Sequence, residues 1–144
     1  MPRVVDVAKY ILGKTGRITS MKLQKLMYYA QAWSLVWEEA PLFDEDFQAW
    51  ANGPVLPSLY QTHRGMFEVD VSLVETGNAL RLNDEQRDTV NRVVDFYGKR
   101  SAQQLSTLTH REQPWREARD KLPPLEPCIN VITKASMHEF YASL

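Results

Sequence analysis

Three histidines and one cysteine are the residues best suited to metal binding or nucleophilic catalysis. Their spacing supports neither. His63, His110 and His138 each stand apart from one another and from Cys128, whereas zinc ligands usually come in pairs a few residues apart. A single cysteine makes no internal disulfide and no multi-cysteine zinc site, and it reads as a small buried hydrophobe. Glu38, Glu39, Asp44, Glu45 and Asp46 concentrate negative charge. Paired carboxylates can do acid–base or metal work. Here they read first as a solvated loop, with an acidic contact patch for a basic partner as the functional alternative. The six glycines are scattered at helix ends and turns, so no phosphate loop is formed, and no nucleophile-turn motif is present. The expectation is a protein with no enzyme active site, no cofactor and no metal.

The chain has 144 residues, 17 of them basic and 18 acidic, for a net charge of −1. Nucleic-acid binders show a basic surplus or stripe, so a nucleic acid is a poor partner for this chain alone. The hydrophobic share of 44% and charged share of 24% are ordinary for a globular protein. A chain of this length buries roughly two-thirds of its unfolded surface and needs no disulfide or metal to hold a core. The first residues lack the apolar stretch of a signal peptide. No apolar run approaches the roughly 20 residues that span a bilayer. No membrane partner is expected, and the cytoplasm is the expected location.

The elements that would position these residues are mostly helical. Val4, Ala8, Ile11 and Leu12 fall at helical spacing, with Gly13 placed as a C-cap. Thr19 offers an N-cap hydroxyl. Leu23, Leu26, Met27, Ala30, Trp33 and Trp37 then recur at three- and four-residue steps. Tyr28, Tyr29, Leu35 and Val36 make this helix apolar on more than one face, the pattern of a buried helix. Phe47 to Trp50 suits a short strand and Asn52-Gly53-Pro54 a turn. Pro57 suits the first position of a helix running through Leu59 and Tyr60 to about Arg64, with Gly65 past its end. Val69, Val71 and Leu73 alternate with polar residues before Gly77-Asn78, which predicts a small hairpin reaching Leu82. Asn83 with Gln86, and Ser101 with Gln104, have capping-box spacing. Pro114 opens a further helix. Ile129 to Ile132 suits a brief strand, and Thr133 caps a last helix. The predicted fold is mainly α: a compact single domain over residues 1–144, with a long central helix and a small β element.

Two segments carry a family resemblance. The first is Leu23-Gln24-Lys25-Leu26-Met27-Tyr28-Tyr29-Ala30-Gln31-Ala32-Trp33, followed by Pro41-Leu42-Phe43, by Ala49-Trp50-Ala51-Asn52-Gly53-Pro54-Val55 and by Tyr60. The second begins at Ser101-Ala102 and runs through Leu105-Ser106 to Leu108-Thr109-His110-Arg111-Glu112-Gln113-Pro114-Trp115, with Ala118-Arg119 beyond. Together they resemble the Panacea antitoxin domain, also described as a SocA-like or GepA-type phage-associated domain. The resemblance runs from the first helix to the last. It implies a compact helical fold with a small sheet, and a role as the neutralising half of a toxin–antitoxin pair. The implied partner is a toxin protein encoded by an adjacent gene and inhibited by direct contact. At least one member looks like an adaptor that delivers its toxin to a protease, so a protease is a second implied partner. Some members carry an added DNA-binding domain. A chain of 144 residues leaves no room for one, the usual device for repressing its own promoter.

Leu23, Lys25, Leu26, Trp50, Gly53, Pro54, Tyr60, His110, Glu112, Pro114 and Trp115 belong to these motifs and read as structural. His110, Glu112, Pro114 and Trp115 suit a corner between two helices, where His110 or Glu112 would satisfy free backbone groups. Partner contact falls to Tyr28, Tyr29, Asp44, Glu45, Asp46 and Asn52. Adjacent residues on a helix point about 100° apart, so one of the two tyrosines is expected at the surface. The competing reading is another interaction protein of a phage or mobile element, acting as a protease adaptor or as a modulator of a host protein.

Overall fold

The computed structural model describes residues 1–144. Seven α-helices carry the fold: α1 (Val4–Thr15), α2 (Ser20–Trp37), α3 (Pro57–His63), α4 (Asp84–Tyr97), α5 (Ala102–Arg111), α6 (Gln113–Arg119) and α7 (Lys134–Ala142). Five short strands accompany them: β1 (Ile18–Thr19), β2 (Phe47–Trp50), β3 (Gly53–Val55), β4 (Glu68–Val69) and β5 (Val131–Ile132). Helix, including two 3-10 turns, makes up 58% of the chain.

The helices begin where their side chains cap them. Thr19 accepts from the Lys22 amide, Ser101 from Gln104 and Thr133 from Ser136. Asn83 with Gln86, and Ser101 with Gln104, form reciprocal capping boxes, so two otherwise orphaned amides are satisfied at each start. The first helix outlasts Gly13 and ends at Gly16, whose φ of 70° lies in the left-handed region that glycine tolerates.

From Leu23 to Ala32 every residue of α2 is buried. Ten residues make nearly three turns, so the helix is covered on all sides. It packs against α1, α4, α5, α7 and β3. The buried stripe stops short of Trp37, which is 42% exposed and stacks on Trp33 with the Arg92 guanidinium over its ring. Leu26 is fully buried in the main core. Leu26→Ala should therefore cost about 2–5 kcal/mol through lost transfer energy and the cavity left behind. Urea denaturation measures this, and a change below about 0.5 kcal/mol would mean that the neighbours close the gap.

Two small antiparallel sheets brace the helices. In one, β1 pairs with β4, Ile18 opposite Val69. In the other, β2 lies between β3 and β5, with Ala49 opposite Pro54 and Phe47 opposite Ile132. The hairpin expected over Val69–Leu82 does not form. Val69 pairs with Ile18 instead, and the rest folds into two 3-10 turns, Val71–Val74 and Ala79–Arg81. Asp70 and Asn78 start these turns by accepting from the amides two residues on, Ser72 and Leu80. Such Asx capping competes with strand pairing.

Candidate functional site

The polar side chains of α2 hold the segment that follows it. Gln31 accepts from the Leu42 amide (2.6 Å) and donates to the Phe43 carbonyl (2.8 Å). Ser34 donates to the Ala40 carbonyl. Gln24 accepts from the Leu56 amide at 2.8 Å. Its amide nitrogen lies 3.0 Å from His63 Nε2, which must then be the acceptor. Burial lowers the His63 pKa, in keeping with a neutral ring. Lys25 Nζ donates to the Pro54 carbonyl at 3.1 Å.

These contacts converge on the turn between β2 and β3. Gly53 has φ of 116°, and a Cβ there would lie 2.6 Å from Lys25 Cε and 3.0 Å from Thr109 Oγ1. Glycine is thus needed both for backbone angle and for space. Helices α5 and α6 clasp the turn from the other side. Ser106 Oγ donates to the Asn52 carbonyl (2.6 Å), and Trp115 Nε1 to the Trp50 carbonyl (2.9 Å). His110 stacks on Trp115 with ring centroids 4.0 Å apart. Arg119, fully buried, donates to the Ala49 carbonyl and to the carbonyls of Pro123, Pro124 and Glu126. Trp50 packs edge-on against Tyr60. The structure therefore gathers Lys25, Trp50, Gly53, Pro54, Tyr60, His110 and Trp115 around one turn. Leu23 and Leu26 lie in the main core, and Pro114 is buried in the first turn of α6.

Lys25 is wholly buried, and its ammonium has no carboxylate partner. Burial pushes its pKa down to about 7. A base depressed in the folded state binds fewer protons than the unfolded chain between the two pKa values, so stability rises with pH across that window. The wild type should gain stability from pH 7 toward pH 10 relative to Lys25→Met, measured by urea denaturation at each pH. Parallel curves for the two proteins would show that Lys25 is not desolvated.

Glu112 departs from the expected role of capping a helix end. Its carboxylate turns inward and accepts from the hydroxyls of Tyr29 (2.6 Å) and Tyr141 (2.8 Å). The Tyr141 hydroxyl also lies 3.1 Å from that of Tyr28. A hydroxyl has one proton, so with Tyr141 donating to Glu112, Tyr28 donates to Tyr141. Tyr28 and Tyr29 are both fully buried, which corrects the expectation that one of them reaches the surface. Burial pushes all three phenols far above their usual range. Burial also raises the Glu112 pKa, against the downward pull of the Tyr29 and Tyr141 bonds.

The family model described as "Antitoxin SocA-like, Panacea domain" matches residues 23–116, more than half the chain. The chain belongs to that family. Antitoxin SocA of Caulobacter vibrioides (strain NA1000 / CB15N) is 29% identical over 132 residues, covering 79% of this chain and 70% of the relative. No solved structure matches the chain. The match holds α2 from Leu23 onward, the clasped turn and the His110–Trp115 corner of this Panacea domain. Arg119 and Tyr141, which complete the clasp and the tyrosine cluster, fall outside it.

The surface of the Panacea domain offers two features near the residues expected to bind a partner. Asn52 is exposed at the tip of the clasped turn, with a cavity on either side. One, of about 450 Å³, is lined by Thr19, Lys25, Phe67, Ser101, Gln103 and Ser106 among others. The other, of about 530 Å³, includes Trp50, Tyr60, Cys128 and Ile129, and shares Met21 and Asn52 with the first. Asp44, Glu45 and Asp46 are exposed elsewhere, and Lys134 binds the Asp44 carbonyl and the Asp46 carboxylate. No three His, Cys, Asp or Glu side chains cluster as metal ligands. No helix is long and apolar enough to cross a membrane.

Gln24, Gln31, Ser106, Arg119 and Tyr141 were not singled out from the sequence as clasp or cluster residues. Gln24 and Gln31, seven residues apart, share a helix face, and that spacing inside an apolar helix was the available signal.

Proposed function

We propose that this chain is the antitoxin of a toxin–antitoxin pair and silences a toxin protein, encoded by an adjacent gene, through direct contact. The carrying observation is the family match across residues 23–116. In this reading α2 is the central helix of a single binding domain, and the clasped turn presents Asn52 and its flanking cavities to the partner. The exposed acids Asp44, Glu45 and Asp46 form a second contact candidate. Tyr28 and Tyr29 hold the core and take no part in contact. The chain acts as a binding protein in the cytoplasm rather than as an enzyme. A near-neutral net charge supports a protein partner over a nucleic acid.

The test is expression of the neighbouring gene alone and together with this chain. The expected result is growth arrest by the neighbour alone, rescue on co-expression, and a complex that survives capture and gel filtration. A neighbour that is harmless alone, or no complex despite rescue, would refute the reading.

A further inference from the structure

The outer face of α4 is complementary to itself when turned end for end. The inner residues Val90, Val93 and Tyr97 are buried, while Glu85, Asp88, Arg92, Phe96 and Lys99 are exposed. Asp88 and Phe96 stand four residues either side of Arg92, and Glu85 and Lys99 seven. Those steps keep all five on one stripe of the helix. Both acids precede Arg92, and the apolar and basic residues follow it. The ion pairs within α4 are Arg87–Asp84 and Arg92–Asp88, so Glu85 and Lys99 are left without a partner. The same face exposes aromatic surface: Phe96 is 62% exposed and Trp37 42%. The two are joined beneath. Trp37 stacks on Trp33, whose indole N–H donates to the Tyr97 hydroxyl, and the Tyr97 ring meets Phe96 edge-on. The Arg92 guanidinium lies over Trp37 and that of Arg100 over Phe96. Aromatic residues and arginine are enriched at the centres of interfaces. Acids in a first turn are ordinary helix electrostatics; an exposed phenylalanine on the same stripe is not.

We infer that this face binds a second copy of the chain, with the two α4 helices antiparallel about a two-fold axis at Arg92. A two-fold contact needs a surface that complements itself, and the charges along α4 meet that condition. Turned end for end, Glu85 faces Lys99 of the second copy in two equivalent places. Each Asp88, 3.2 Å from its own Arg92, then stands one turn from the Arg92 of both copies, which offsets the like charges at the axis. Phe96, one turn from the axis on the other side, is covered by the facing helix. One helix ridge with the end of α2 is a small contact, so the dimer is a weak one, formed in the micromolar range. It shares no residue with the cavities beside Asn52 and rests on no part of the antitoxin reading.

Sedimentation equilibrium of the full chain over a concentration series tests the contact. The expected result is a reversible monomer–dimer equilibrium that weakens as salt is raised. Phe96→Ser should weaken the dimer about tenfold or more, with the melting temperature nearly unchanged. Glu85→Lys and Lys99→Glu should each weaken it by about tenfold, because the two-fold axis turns two attractive contacts repulsive at once. The double variant Glu85→Lys/Lys99→Glu restores opposite charges in both contacts and should recover the wild-type affinity. A chain that stays monomeric at every concentration overturns the proposal. So does a dimer indifferent to Phe96→Ser, or a double variant as weak as either single one, since both place the contact on another face. A monomeric chain whose complex with the neighbouring gene's product is lost in Phe96→Ser gives the face to that partner and overturns the second-copy assignment.

Discussion

Glu112→Ala is expected to lower stability by about 3–6 kcal/mol, the loss of two hydrogen bonds to a charged acceptor at about 1.5–3 kcal/mol each. The substitution removes the acceptor on which Tyr29 and Tyr141 converge, and Tyr28 donates into the same chain. All three hydroxyls are buried, so water cannot replace the carboxylate without entering the core. Against a typical total of about 5–15 kcal/mol, such a loss would leave the domain close to unfolding. Glu112→Gln keeps an acceptor oxygen and should cost less. The pair also yields a pH test. The folded pKa of Glu112 is raised by burial, so the folded protein holds its proton to higher pH than the unfolded chain. That contribution is fully present below the unfolded value and is lost as pH rises through the folded one. Relative to Glu112→Gln, the wild type should therefore weaken as pH climbs from about 4.5 through the raised pKa. Urea denaturation across that range measures both effects. A Glu112→Ala cost below about 1 kcal/mol would mean that the tyrosines find other partners.

The helices were legible because their signals are local. Thr19, Asn83, Ser101 and Thr133 each cap the helix that their spacing predicts. Leu23, Leu26, Met27 and Ala30 are all buried, as their period requires. The Val69–Leu82 segment misled because alternation describes both a strand and a run of turns on a half-buried surface. Contacts distant in the chain decide between them: Ile18 takes Val69 as its strand partner, and the buried Asp6 carboxylate accepts from the Asn78 amide. Neither contact leaves a local pattern. Trp37 fits the stripe by spacing, yet lies at the last position of α2, where the surrounding elements no longer cover it.

The motif residues of the site could be located from the sequence, but their roles could not. A lysine inside an apolar helix ordinarily extends to water. Lys25 does not, because the Gly53–Pro54 turn reaches it through a gap that only glycine leaves open. Tyr28 and Tyr29 point in different directions, which on a helix with one buried face would expose one of them. On α2 both directions lead inward, toward α7 and the α5–α6 corner. Glu112 follows the same logic. Its position between two helices suggests a cap, and its partners lie 83 and 29 residues away in the chain.

Rescue from the toxin should depend on stoichiometry, with a sharp threshold where antitoxin equals toxin. Blocking by contact consumes one antitoxin for each toxin, whereas a protease adaptor or an enzyme would turn over. The steepness follows from mass action. With Kd of about 1 nM and about 1 µM of each protein, a surplus of about 10% antitoxin leaves roughly 10 nM free toxin. A shortage of about 10% leaves roughly 100 nM, irrespective of affinity. Viable counts should therefore collapse over a narrow range of expression ratio, and this effect on growth exceeds that of any single substitution discussed above. The measurement is co-expression from independently titratable promoters, with both proteins quantified by immunoblot and the complex recovered by capture. Protection at antitoxin levels far below those of toxin, with the toxin vanishing from the blot, would establish delivery to a protease and defeat the blocking mechanism.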